Sequence, residues 1–207
     1  MIEGNEKHYR ALEENARGLG LVCTVNAMVA ATGELKLDRI LRREEAPLDV
    51  DLLSLDVDGD EYYILESLKD VKPRLLIVEY NPTVPPHVDI VQEPGEYFGA
   101  SAAAIVRLGR QKGYRFVCMT NTNCFFLRED VFPAMHMPEP RLDEVFPGTE
   151  LTYAISSYAG RIFLSRQPTY APRLEREPFI NWRKFRRTQH SKLTGRDCVM
   201  PVRIFES

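Results

Sequence analysis

The chain has 207 residues, 44% apolar and 28% charged, with a formal net charge of −3, which fits one folded domain with a sizeable core plus an appendage and argues against overall disorder. The charge is uneven: residues 161–207 carry eleven Lys/Arg against four Asp/Glu, leaving sixteen against twenty-six in residues 1–160, so an acidic body precedes a basic tail. No apolar run approaches a bilayer span, the first seven residues lack the basic-then-apolar pattern of a leader, and Cys23, Cys118, Cys124 and Cys198 lack C-x-x-C spacing, so a cytoplasmic protein with reduced structural thiols and no zinc site is expected.

The first residues read as the end of a strand closing on Glu3, after which Asn5 caps a helix to about Arg17 with Tyr9, Leu12 and Ala16 on one face and Gly18 or Gly20 as its stop. Residues 21–30 read as the next strand, ending near Asn26 and Ala27, followed by a turn at Thr32 and Gly33. Leu37, Ile40 and Leu41 fit a short helix, and residues 44–47 a linker.

Residues 49–82 hold the unit on which the rest is organised. Two short, nearly uninterrupted apolar runs each end in acid, the first at Asp56 and Asp58, the second at Glu79 and Asn81, as parallel strands covered on both faces do. Between them Glu61, Ile64, Leu65 and Leu68 stand at i, i+3, i+4 and i+7, which predicts one helix and therefore a β-α-β unit. Both strands then run the same way, and Asp56, Asp58, Glu79 and Asn81 emerge at the carboxyl edge, where open α/β sheets bind ligands. Around Asp58 and Asp60 a plain Asp-Gly turn and a helix cap compete with a functional role.

Residues 82–97, with four prolines and His87, read as a loop covering the site, His87 being either a base or an exposed ring. Ser101 caps a helix to Lys112, with Ala104, Ile105 and Leu108 inward and Gly113 as stop. Residues 115–119 and 124–128 are two strands joined by a hairpin turn at residues 120–123. Beyond residue 131 a proline-broken connector leads to weak strand patterns at residues 151–157 and 161–164 and a turn at residues 158–160. Residues 182–187 interleave aromatics with cations, suiting either an anionic partner or a tail lying on the acidic body.

Several pieces of residues 2–130 together resemble class I S-adenosylmethionine-dependent methyltransferases of the FkbM type. They are Ile2-Glu3-Gly4-Asn5, Tyr9-x-x-Leu12-x-x-Asn15, Leu37-Asp38-x-Ile40-Leu41, the run from Asp51 through Asp56-Val57-Asp58-Gly59-x-Glu61, Ile77-Val78-Glu79, and residues 99–128. The resemblance implies a Rossmann-like α/β sheet, mostly parallel with a C-terminal antiparallel hairpin, over residues 1–130, with residues 131–207 as connector and basic extension. It implies Glu3 as the acceptor of the cofactor's ribose hydroxyls, Asn26 and Ala27 beside the adenine, and Asp56 beside the methionine portion. Asp58 and Glu79 would face the methyl acceptor, one serving as general base for a hydroxyl of a sugar, glycan or secondary metabolite, and Asn81 joins them as a candidate from its place at the strand end. Nucleic acid is not an expected partner.

One departure is plain: the family's first strand and glycine-rich turn are missing, and no G-x-G-x-x-G occurs in the 207 residues. That strand would lie between the one ending at Glu3 and the one ending at Asp56, so weak or absent S-adenosylmethionine binding by this chain is expected, unless the C-terminal segment or a second copy in a homo-oligomer fills the gap. Two other readings stand beside this one. Asp56-x-Asp58 after an apolar strand suits a divalent metal in a glycosyltransferase-like enzyme, and an inactive remnant would keep the acids and the tail only for assembly.

Overall fold

A computed structural model describes residues 1–156, 158, 162–166, 168 and 169, so the basic aromatic segment at residues 182–187 and Cys198 lie outside the described residues. The fold is mixed α/β. β3 (Leu52–Leu55) and β4 (Leu75–Glu79) run parallel, Leu52 beside Leu75 and Leu55 beside Val78. α3 (Glu61–Ser67) crosses between them and buries Tyr62, Ile64 and Leu65, the stripe that the spacing predicts.

α4 (Ala102–Gln111) starts at Ser101, whose hydroxyl accepts from the Ala104 N–H at 3.2 Å, and leads into β5 (Tyr114–Met119) and β6 (Asn123–Arg128). β6 returns beside β4, giving the order β3-β4-β6-β5. Only the β3–β4 ladder of this sheet is parallel; β4–β6 and β5–β6 are antiparallel. A mixed sheet thus replaces the mostly parallel one expected, because the short turn after Met119 sends the chain back as a hairpin and the returning strand takes the place next to β4.

The core lies between this sheet and its helices. Phe116, Phe126, Leu76, Val78, Ile64 and Ile105 have no measurable exposure, and the Phe116 and Phe126 rings lie 5.8 Å apart. α4 can come this close to β6 because residue 109 is glycine: a Cβ there would sit 2.8 Å from the Phe126 ring. Each such buried side chain contributes roughly 1.5–3 kcal/mol. α2 (Leu37–Arg43) adds a polar tie, as the buried Asp38 carboxylate accepts N–H groups of Lys69, Asp70 and Val71 at 2.8, 3.1 and 3.4 Å. That carboxylate satisfies the backbone of the turn leading from α3 to β4.

The amino-terminal part is thinner. β1 (Ile2–Glu3) pairs in parallel with β2 (Val25–Asn26), two residues each, as a sheet separate from the other. α1 (Glu6–Ala16) is capped by the Asn5 side chain, which accepts from the Lys7 and His8 N–H groups, and buries no residue fully. The strand expected over residues 21–30 contracts to Val25–Asn26, because Leu21 and Met28 stand exposed with no sheet face to cover them.

The connector forms α5 (Leu142–Val145), and Leu142, Val145 and Phe146 pack on the main core, the Phe146 ring 6.0 Å from that of Tyr80. β7 (Ala154–Ser156) and β8 (Ile162–Leu164) form an antiparallel pair. Among the described residues no helix is long and apolar enough to cross a membrane.

Candidate functional site

Three carboxylates meet at the carboxyl ends of β3 and β4. Asp56, Glu61 and Glu79 each bring an oxygen within 4.8 Å of the other two. Asp56 follows β3 and is exposed, while Glu79 closes β4 and is half-buried. Glu61 begins α3 and is only 2% exposed. The strand ends thus bring Asp56 and Glu79 together as the sequence predicts. Asp58 is not one of the three.

Local backbone chemistry explains both facts. Asp58 has φ +62 and Gly59 φ +149, a left-handed turn that Asp tolerates and Gly adopts without strain. The turn exposes Asp58 and aims the N–H groups of Val57 and Gly59 at Glu61, whose Oε1 accepts them at 2.8 and 3.1 Å while Oε2 also lies 3.1 Å from Gly59 N. Asp60 stands at the N-cap position without a side-chain capping bond, and its Oδ1 accepts instead from the Gly95 N–H at 2.9 Å. Sequence reasoning placed Glu61 on the helix stripe and missed its part in the site; the available signal was an acid at the first turn of a buried helix directly after an Asp-Gly turn.

Crowding changes the chemistry of Glu79. Its carboxyl is pushed up to about 8, first by burial, then by the negative charge of Asp56 and a hydrogen bond with it, with Glu61 and Asp58 adding repulsion. At neutral pH Glu79 therefore keeps its proton and shares it with Asp56. A carboxyl half-ionised near the working pH is suited to taking a proton from a weakly acidic hydroxyl and returning it.

Asn81 has structural work. Its Nδ2 donates to Phe98 O at 2.7 Å, and its Oδ1 accepts from Thr83 N and Oγ1 at 2.9 and 2.6 Å. It anchors the proline loop instead of presenting an amide to a ligand. His87 is exposed and makes no hydrogen bond or ion pair within the described residues.

Of the residues expected to hold a cofactor, Asp56 stands in the carboxylate cluster, while Glu3 and Asn26 lie on the β1–β2 pair and Ala27 directly after it. Glu3 closes β1, partly exposed, and its Oε1 accepts from Asn5 N at 2.7 Å. The Asn26 amide is engaged by Glu6 on α1. Ala27 is buried and donates its N–H to Glu3 O at 3.1 Å. None of these three belongs to the carboxylate cluster.

Two hollows, of about 440 and 270 Å³, lie at the opposite end of the sheet, lined by Lys72, Lys112, Tyr114 and neighbouring residues. Their cations are largely occupied: Lys112 Nζ donates to Glu66 O and Leu68 O, and Arg128 is held by Asp49 and Asp130. Convergent acids that include the perturbed Glu79 are stronger grounds for a site than open volume without them. Among family models, curated proteins and solved structures, none matches this chain.

Proposed function

We propose that the chain is an S-adenosylmethionine-dependent methyltransferase domain of the FkbM type, acting on a hydroxyl of a sugar, glycan or secondary metabolite. The observation that carries this reading is the convergence of Asp56, Glu61 and Glu79 at two parallel strand ends, with the Glu79 carboxyl held at about 8. The antiparallel hairpin whose last strand lies beside β4 supports it, as does the pairing of β1 and of β3 on one side only, since the resemblance places one more strand between them.

In this reading the rim does two things. Its negative charge favours a cationic sulfonium nearby, with Glu3 offering a carboxylate to the ribose hydroxyls. Bound there, the cofactor supplies an electrophilic methyl group. Glu79 in its ionised form accepts the proton of the acceptor hydroxyl. Glu61 holds the Asp58–Gly59 turn, and with it Asp56, in place.

Amide chemical-shift mapping tests the proposal. S-adenosylmethionine is expected to shift the Glu3, Asn26, Ala27 and Asp56 signals with a Kd on the order of 1 mM, and Glu3→Ala to weaken this at least about tenfold. Shifts confined elsewhere, or none, overturn it. The same three carboxylates also favour a second reading, a divalent cation held by oxygen ligands. Line broadening by Mn²⁺ centred on Asp56, Glu61 and Glu79, abolished by Glu79→Gln and unaccompanied by any effect of S-adenosylmethionine, selects that reading.

A further inference from the structure

The two hollows at the far end of the sheet from the acidic rim share Lys72, Lys112 and Tyr114. The larger, at about 440 Å³, falls within the range of small-molecule sites. The smaller, at about 270 Å³, adds Lys69 and an apolar wall of Leu65, Leu68 and Val71, with no acid among its lining residues.

Three ammonium groups gather around this space. Burial lowers the pKa of Lys112, and the positive charges of Lys69 and Lys72 lower it further against the pull of Asp38 and Glu66, so the three heads lie within reach of one another's fields. Lys112 Nζ is fixed by Glu66 O and Leu68 O at 3.1 and 2.7 Å, whereas neither Lys69 nor Lys72 has an acceptor for its ammonium among the described residues. The acids nearby are committed elsewhere: Asp38 to the N–H groups of Lys69, Asp70 and Val71, Asp130 to Arg128, and Glu129 to Arg115. Glu66 lines neither hollow. Tyr114 points the same way. It is only 5% exposed, yet its hydroxyl has no hydrogen-bond partner among the described residues and is not sealed inside the core. Burial pushes its pKa up to about 12, and the charges of Arg128 and Asp130, which line the larger hollow, also act on it. A phenol that stays protonated beside such a space is a ready donor.

We propose that these hollows bind a small organic phosphate, its phosphate received by Lys69, Lys72 and Lys112 with a hydrogen bond from the Tyr114 hydroxyl, and its apolar part against the wall of the smaller hollow. A lysine ammonium is a compact point charge suited to phosphate oxygens. A phosphate near its full charge offsets the mutual repulsion of three cations better than a singly charged carboxylate does, and a neutral ligand leaves that repulsion in place. The backbone beneath is already held, since Lys69 N donates to Asp38 Oδ2 at 2.8 Å and Arg128 Nη1 donates to Lys72 O at 2.7 Å. Only lysine side-chain ends are left to order on binding. The site stands apart from the carboxylate rim and does not rest on the transferase reading.

The test is amide chemical-shift mapping on the full chain with phenyl phosphate as the probe, benzoate as the singly charged control and phenol as the neutral one. Phenyl phosphate is expected to shift the Lys69, Lys72, Gly113 and Tyr114 signals with a Kd on the order of 1 mM. Benzoate binds about fivefold more weakly, and phenol shifts none of these signals. Lys72→Gln and Tyr114→Phe each weaken phenyl phosphate about threefold or more, and the thermal midpoint stays unchanged in both variants. No shift at these four signals, or a Kd that neither substitution moves, overturns the site. Phenol binding as tightly as phenyl phosphate overturns its assignment to an anion, and benzoate doing so overturns its assignment to a phosphate.

Discussion

β4 and β1 both end in glutamate, yet what stands behind the two residues differs. Glu79 rises from a strand whose Leu76 and Val78 are wholly buried, next to Asp56 and Glu61. Glu3 ends a two-residue strand paired only with β2, beside a helix that buries nothing fully. An acid at the end of an apolar run therefore marks where a carboxylate sits, while the packing beneath it and the charges around it decide what that carboxylate does.

Four perturbations sharpen the contrast. The largest is Phe126→Ala, which empties the middle of the four-stranded sheet and is expected to cost about 3–5 kcal/mol in urea unfolding; a loss below 1 kcal/mol would mean that this sheet is not the core. Next is Glu61→Ala, which leaves the Val57 and Gly59 N–H groups without their acceptor and costs about 1–3 kcal/mol. Glu61→Gln keeps one acceptor oxygen and is expected to recover part of that loss. Asn5→Ala removes the cap of α1 at about 1 kcal/mol, and in hydrogen exchange its effect is confined to α1, β1 and β2. Spread of that effect into β4 and β6 would show that the two regions open together.

The last perturbation is pH. The Glu79 carboxyl ionises more readily in the unfolded chain, near 4.5, than in the fold, at about 8. Its contribution is therefore fully present below pH 4.5 and declines as pH rises toward 8. Glu79→Gln is expected to flatten that decline, read as the difference in thermal midpoint between pH 5 and pH 8.5. An unchanged slope would show that this carboxyl has an ordinary pKa.

Much of the main sheet was legible from hydropathy alone: the apolar runs of β3 and β4, the stripe of α3, the Ser101 cap and the hairpin all appear at the expected places. The contraction of the strand over residues 21–30 was not, since an apolar run predicts a strand whether or not a sheet face awaits it, and here Leu21 and Met28 find none. In the site, Asp56 and Glu79 were legible as strand ends. Asn81 was misread, because position alone does not reveal that its amide is spent on Thr83 and Phe98. Glu61 went unread because a buried acid one helix turn from an Asp-Gly pair looks like an ordinary first-turn glutamate until the left-handed turn aims two N–H groups at it.

The central claim is that Glu79 and Asp56 share a proton within one crowded rim, and carbon-13 NMR titration of the glutamate side-chain carboxyls tests it most directly. The expected result is a Glu79 midpoint at about 8 that falls in Asp56→Asn yet stays above 4.5, since burial, the leading cause, remains. A Glu79 midpoint near 4.5, unmoved by Asp56→Asn, would contradict it.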